Sequence, residues 1–180
     1  MNQIDLKSTS KKIVFEEEVI FLNFNYTLTL KEVYKIPYGM VFHIHGDVEN
    51  NQGPLIFGHN EELTEMPEMD ENGDSNGTMF TDSENVSKYP FYAFKKPVTE
   101  IISENKKFFE NINSIEEVII LGHSFNTIDI PYFEEIVKKT KITTRWKVSY
   151  YKEEDKELHL GTLQEIEICN IELFNMNCLV

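Results

Sequence analysis

The chain has 180 residues, 41% of them hydrophobic, and a formal net charge of −14 at pH 7. This length and composition fit one compact domain that buries roughly 70% of its unfolded surface, and they exclude a disordered chain. The acidic balance excludes a nucleic-acid binder, which needs a basic face, and argues against docking on anionic lipid.

Met1 to Lys12 is a polar lead-in with no apolar stretch of the secretory kind. No apolar run approaches the ~20 residues that cross a bilayer, so the expected compartment is the cytoplasm. Glu18 to Phe24, rich in Val, Ile and Phe, reads as a buried strand. Thr27 is placed to cap a short helix over Leu28 to Tyr34, which Pro37 ends. Met40 to His45 reads as a second strand, with His43 and His45 on one face by period-two alternation. Gly46 and Asp47 open a turn, and Leu55 to Phe57 suggest a very short strand.

Between Asp47 and Ser87 stand eleven acidic residues and no Lys or Arg. The expectation is a mobile acidic insertion over 58–88, either a solvated loop or a lid over a site. Phe91 to Phe94 reads as an aromatic patch packed on the body. Pro97 suits the first turn of a helix reaching about Asn111, with Val98, Ile101, Ile102, Phe108 and Phe109 on one face.

Glu117 to Leu121 is a continuous apolar run of the kind found mid-sheet among parallel strands, and it ends on Gly122, His123 and Ser124. A helix follows from about Ile130 to Lys139, with Pro131 in its first turn and Thr127 or Asp129 as cap. Ile130, Phe133, Ile136 and Val137 form its buried side. Thr144 to Tyr151 is a further strand, Leu158 to Ile168 a helix weakened by Gly161, and the tail after Asn170 is ambiguous. Cys169 and Cys178 suggest neither a disulfide framework nor a zinc site, and both read as reduced thiols. The alternation predicts one α/β domain over 1–180 with a parallel sheet.

Ligands of an open α/β sheet bind in the crevice at the carboxyl ends of its strands. Asn25, His45, His123 and Ser124 then share one rim. The Gly122 turn and Ser124 suit ribose or phosphate contacts. His45 suits a general base, and Asn25 suits orientation of a water or a ribose hydroxyl; each residue also fits a plain role tying loops together. A serine-hydrolase elbow requires glycine where Asn126 stands, which speaks against that chemistry. A metal centre on His43 and His45 needs a third ligand from His59, His123 or Asp129, and no metal is expected.

The segments FLNFNYT, VFHIHGD, LIFGHN and VIILGHSFNTIDIPYF, in that order between Val19 and Val137, resemble the bacterial abortive-infection AbiH family. That family resembles sirtuin-like nicotinamide-dinucleotide domains at a distance. The resemblance implies a partial Rossmann-like (sirtuin-like) sheet flanked by helices, and a phage-defence protein that consumes nicotinamide dinucleotide (NAD). It implies Asn25 and His45 as catalytic residues. The dinucleotide contacts it implies come from Thr27, Gly46, Gly122, His123, Ser124 and Asp129, with Thr27 standing where sirtuins carry an acidic residue. Such chains open on a Gly-rich strand-to-helix turn that does not occur here. The expectation is therefore the carboxyl-terminal part of a longer architecture, or a reduced form of it. A non-catalytic alternative is an interaction module that binds a phage-encoded trigger, a defence partner or a second copy of the chain.

Overall fold

The computed structural model describes residues 19–49, 53–59 and 94–179. The lead-in over 1–12, the expected acidic insertion over 58–88 from residue 60 onward and the aromatic patch over 91–93 lie outside the described residues.

The described chain is α/β with parallel pairing throughout. Strand β1 (Phe21–Asn23) leads through helix α1 (Thr29–Glu32) and a 3₁₀ turn at Tyr38–Met40 into β2 (Val41–His43). These two strands pair in parallel, with Phe21 opposite Val41 and Asn23 opposite His43. Helices α2 (Val98–Glu104) and α3 (Lys106–Asn111) precede β3 (Glu117–Ile120). Helix α4 (Ile130–Lys139) then connects to β4 (Arg145–Tyr150), and α5 (Glu153–Glu165) to β5 (Ile171–Asn175). The order of this three-stranded sheet is β3-β4-β5.

Alternation along the strands sorts the side chains. Val118, Ile120, Trp146, Val148, Ile171 and Leu173 share one face and join the main core with Phe133 and Ile136 of α4 and Leu163 of α5. Each such side chain contributes roughly 1.5–3 kcal/mol when fully buried. The opposite face carries charge at one end, where Glu117 accepts contacts from Arg145 at 3.3 Å and Lys147 at 3.0 Å.

Several boundaries differ from the sequence expectation for local reasons. Thr27 does not cap α1: the cap position falls on Leu28, and the Thr27 hydroxyl meets that of Thr29 instead, at 3.0 Å. The predicted 97–111 helix breaks at Asn105, whose side-chain amide donates to the Ile101 carbonyl at 2.8 Å and competes with the helical ladder. Among the described residues β3 sits at the edge of its sheet rather than the middle, and Ile119 is 40% exposed. Leu55 to Phe57 forms no strand; a single parallel bridge joins His59 to Lys95 instead. Helix α5 begins at Glu153, ahead of the predicted start, because Asp155 reaches back to the Lys152 amide. Asp129 is the cap position of α4, but its carboxylate makes no cap bond and faces His123 instead.

No helix among the described residues is long and apolar enough to cross a membrane. Cys169 is a free, exposed thiol.

Candidate functional site

The carboxyl ends of β1, β2 and β3 meet around the ring of Phe24, the residue after β1. That ring lies 5.8 Å from His45, 4.9 Å from His123 and 5.6 Å from both Tyr132 and Phe133, centroid to centroid. β1 is only three residues long, so Phe24 leaves the ladder just where the strand ends meet and fills the space between them.

Two histidines predicted to share a face are separated in three dimensions. β2 stops at His43, and a turn carries the chain through Ile44 and His45 to Gly46, with the Gly46 amide donating to the His43 carbonyl. The His43 ring serves the β1 side: its Nδ1 lies 3.0 Å from the Asn25 carbonyl, and the ring stacks on Tyr38. The His45 ring instead faces α4. Among the described residues no group of three or more His, Cys, Asp or Glu side chains is disposed to hold a metal ion.

His45 is 2% exposed, and its two nitrogens have distinct partners. Nδ1 lies 3.3 Å from the Phe24 carbonyl, which fixes the proton on that nitrogen. Nε2 then presents its lone pair to the Tyr132 hydroxyl at 3.1 Å and the Lys96 ammonium at 3.4 Å. Burial, aided by the charge of Lys96, pushes the imidazole down to about 4, so His45 is neutral at pH 7. Burial pushes the Lys96 ammonium down, against the pull of Asp129, and pushes the Tyr132 phenol up.

Lys96 passes the chain of contacts to Asp129, whose Oδ1 lies 3.8 Å from Nζ. His123 closes it: Nε2 lies 3.4 Å from Asp129 Oδ2, while Nδ1 accepts the Phe125 amide at 2.9 Å. That second bond assigns the His123 proton to Nε2, so the ring donates to the carboxylate. Burial opposes the charge of Asp129, but the His123 hydrogen bond and the positive charge of Lys96 outweigh it and hold the carboxyl below the usual range. Asp129 Oδ1 is buried without a hydrogen-bond partner. The result is a continuous polar chain, Tyr132–His45–Lys96–Asp129–His123, across otherwise apolar packing.

At its far end the chain reaches solvent. Gly122, at φ +63°, turns the backbone out of β3, and its amide donates to the Ser149 hydroxyl at 2.8 Å. Gly122, His123 and Ser124 form one wall of a cavity of about 190 Å³ between the ends of β3 and β4.

Of the residues singled out in the sequence, His45, Gly46, His123 and Asp129 are buried or half-buried, and His45, His123 and Asp129 belong to the polar chain. Gly122 and Ser124 stand exposed beside it at the cavity. Asn25 and Thr27 are exposed, and the hydrogen bonds of the His45 ring go to Phe24, Tyr132 and Lys96 rather than to Asn25. The buried asparagine at this strand end is Asn23, whose Oδ1 accepts the Asn25 amide at 3.0 Å. Gly46 is buried at φ +77°, and a Cβ there would lie 2.5 Å from the Pro54 carbonyl oxygen. Sequence reasoning missed Lys96 and Tyr132. A lysine directly before the helix-opening Pro97, and a tyrosine on the inner side of α4, were the signals present.

A family model described as "Bacteriophage abortive infection AbiH" matches residues 1–150 of the chain. No curated protein and no solved structure gives a significant match.

Proposed function

This chain belongs to the bacteriophage abortive infection AbiH family, a family of phage defence, and from that premise we propose that it acts by hydrolysing the nicotinamide–ribose bond of NAD in a Rossmann-like, sirtuin-like site. One observation carries the reading: residues from the ends of β2 and β3, Lys96 ahead of α2, and the start of α4 form a polar chain that ends at an open cavity, with one buried carboxylate oxygen, Asp129 Oδ1, not hydrogen-bonded.

Cleavage of such a bond passes through an oxocarbenium-like state in which positive charge moves onto the ribose. Nicotinamide leaves with the bonding electron pair, and water adds to the anomeric carbon as its proton is lost. In this reading the charge of Asp129, held behind His123, stabilises the developing cation, His123 orients the carboxylate, and the proton of the incoming water is lost to solvent at the open cavity. His45 and Lys96 are positioning residues: His45 is sealed off and holds Lys96, which in turn holds Asp129. Asn25, at the exposed rim, orients the incoming water. Thr27, Gly122 and Ser124 complete the contacts to the dinucleotide, while Gly46, buried against Pro54, shapes the turn that carries His45.

The test is nicotinamide release from NAD by purified protein, followed by chromatography. Asp129→Asn and His123→Ala are expected to reduce the rate at least 100-fold, the usual scale of acid–base and charge-stabilising groups. Rates equal to the parent's in both variants would remove these residues from the mechanism. No release by the parent, with or without lysate from phage-infected cells, would remove the reaction.

A second reading is a non-catalytic module that pairs with a phage trigger, a defence partner or a second copy. The position of β3 at a sheet edge among the described residues, with Ile119 and Leu121 exposed, supports it.

A further inference from the structure

The cavity beside His123 has a second wall that the polar chain does not use. It is formed by Ser149 and Tyr151 from the end of β4 and by Asp155, Leu158 and His159 from α5, facing Ser124. We infer that this cavity is a sugar subsite, built to hold the vicinal hydroxyls of a ribosyl group rather than a phosphate.

The lining decides between the two. Neither lysine nor arginine contributes to it, and its one formally charged group is the Asp155 carboxylate. A phosphate there would lack the charge-assisted donors that such anions require and would be repelled by Asp155. Hydroxyl groups match what is available. Asp155 uses Oδ2 for the Lys152 amide at 3.1 Å and keeps lone pairs to accept from a diol. Ser149 accepts the Gly122 amide through Oγ, so its own O–H remains to donate. His159 is 6% exposed, and its Nδ1 is buried with no hydrogen-bond partner. A buried polar atom of that kind costs roughly 1–3 kcal/mol unless something meets it, and a ligand hydroxyl in this cavity is the natural candidate.

Size points the same way. At about 190 Å³ the cavity is smaller than the ~300–1,000 Å³ that encloses a whole drug-sized ligand. It takes a sugar ring, with the Tyr151 ring and Leu158 covering the carbon face and the remainder of the ligand outside. This assignment rests on the dinucleotide reading above for the identity of the ligand and adds which part of it is held here.

The experiment is calorimetric titration of the full chain with adenosine, 2′,3′-dideoxyadenosine and inorganic pyrophosphate. Adenosine is expected to bind at least tenfold more tightly than the dideoxy nucleoside, with pyrophosphate unable to displace it. Asp155→Asn, which retains the helix cap, and the surface change Ser124→Ala are expected to weaken adenosine at least tenfold and about threefold. His159→Gln is expected to weaken it as well; should that variant fail to fold, the other two carry the test. Equal affinity for the two nucleosides, no adenosine binding by the parent, displacement by pyrophosphate, or parent-like affinity in Asp155→Asn would overturn the subsite. The two readings separate cleanly. Diol-dependent adenosine binding without nicotinamide release removes the reaction and keeps the subsite, whereas release without diol dependence does the reverse.

Discussion

The Nε2 atom of His45 lies 3.1 Å from the phenolic oxygen of Tyr132, across 87 residues of sequence, and both side chains are sealed from solvent. The contact fastens the turn after β2 to the inner side of α4. It also consumes the imidazole lone pair that a general base would use, which is why His45 is assigned to positioning.

Tyr132→Phe keeps the ring and removes the hydroxyl, while Lys96 at 3.4 Å remains as a donor to His45. The expected loss is about 1 kcal/mol, read as a thermal midpoint roughly 2–4 °C lower. Tyr132→Ala empties a fully buried site and should cost about 3–5 kcal/mol. Urea denaturation of the two variants measures both.

His45 sets a pH dependence whose sign follows from its depressed imidazole. The folded value of about 4 lies below the ordinary 6.5, so the unfolded chain binds this proton more readily. Its stabilising share is therefore complete above pH 6.5 and is lost as pH falls towards 4. At ~1.36 kcal/mol per unit the loss approaches about 3 kcal/mol. Denaturation curves at pH 7, 6, 5 and 4 should show a shallower fall in His45→Gln than in the parent. Parallel profiles would contradict the assignment.

Asp129 and Lys96 are coupled. Their side chains are 15% and 7% exposed, so Asp129→Asn strands a buried ammonium. The expected cost is about 3–5 kcal/mol. Adding Lys96→Met removes the stranded charge, and the double variant should be more stable than the sum of the single effects predicts, by ~1 kcal/mol or more. A double-mutant cycle in urea measures this coupling directly.

Two glycines at positive φ should respond differently to alanine. At Gly46 the added Cβ meets backbone, the Pro54 carbonyl oxygen at 2.5 Å; at Gly122 the nearest atom is the Tyr151 hydroxyl at 3.8 Å. Gly122→Ala should cost only the left-handed backbone penalty of roughly 1–2 kcal/mol. Gly46→Ala should cost more, because the segment at Pro54 must move as well. Thermal unfolding of the pair ranks them.

Much of the local architecture was legible because it depends on neighbours in sequence. The apolar run before Gly122 and the Pro131-led helix were both read close to their observed bounds, since strand and helix periodicities act over a few residues. The misreadings were competitions that a periodicity does not weigh. Asn105 splits a helix through its own side chain. The strand after Met40 stops two residues early, so His43 and His45 part company although alternation placed them together.

By itself the sequence determined the α/β class, the parallel strands that end on polar residues, and the family motifs. All of these are written in short stretches, where backbone preference and side-chain alternation decide the outcome. Only the tertiary structure decided that His45 is buried and neutral, that Lys96 and Tyr132 join it, and that Nδ1 of His159 is buried without a hydrogen-bond partner in a side chain that lines a cavity. Those properties come from desolvation and from contacts between segments far apart in the chain, and no local pattern carries that information.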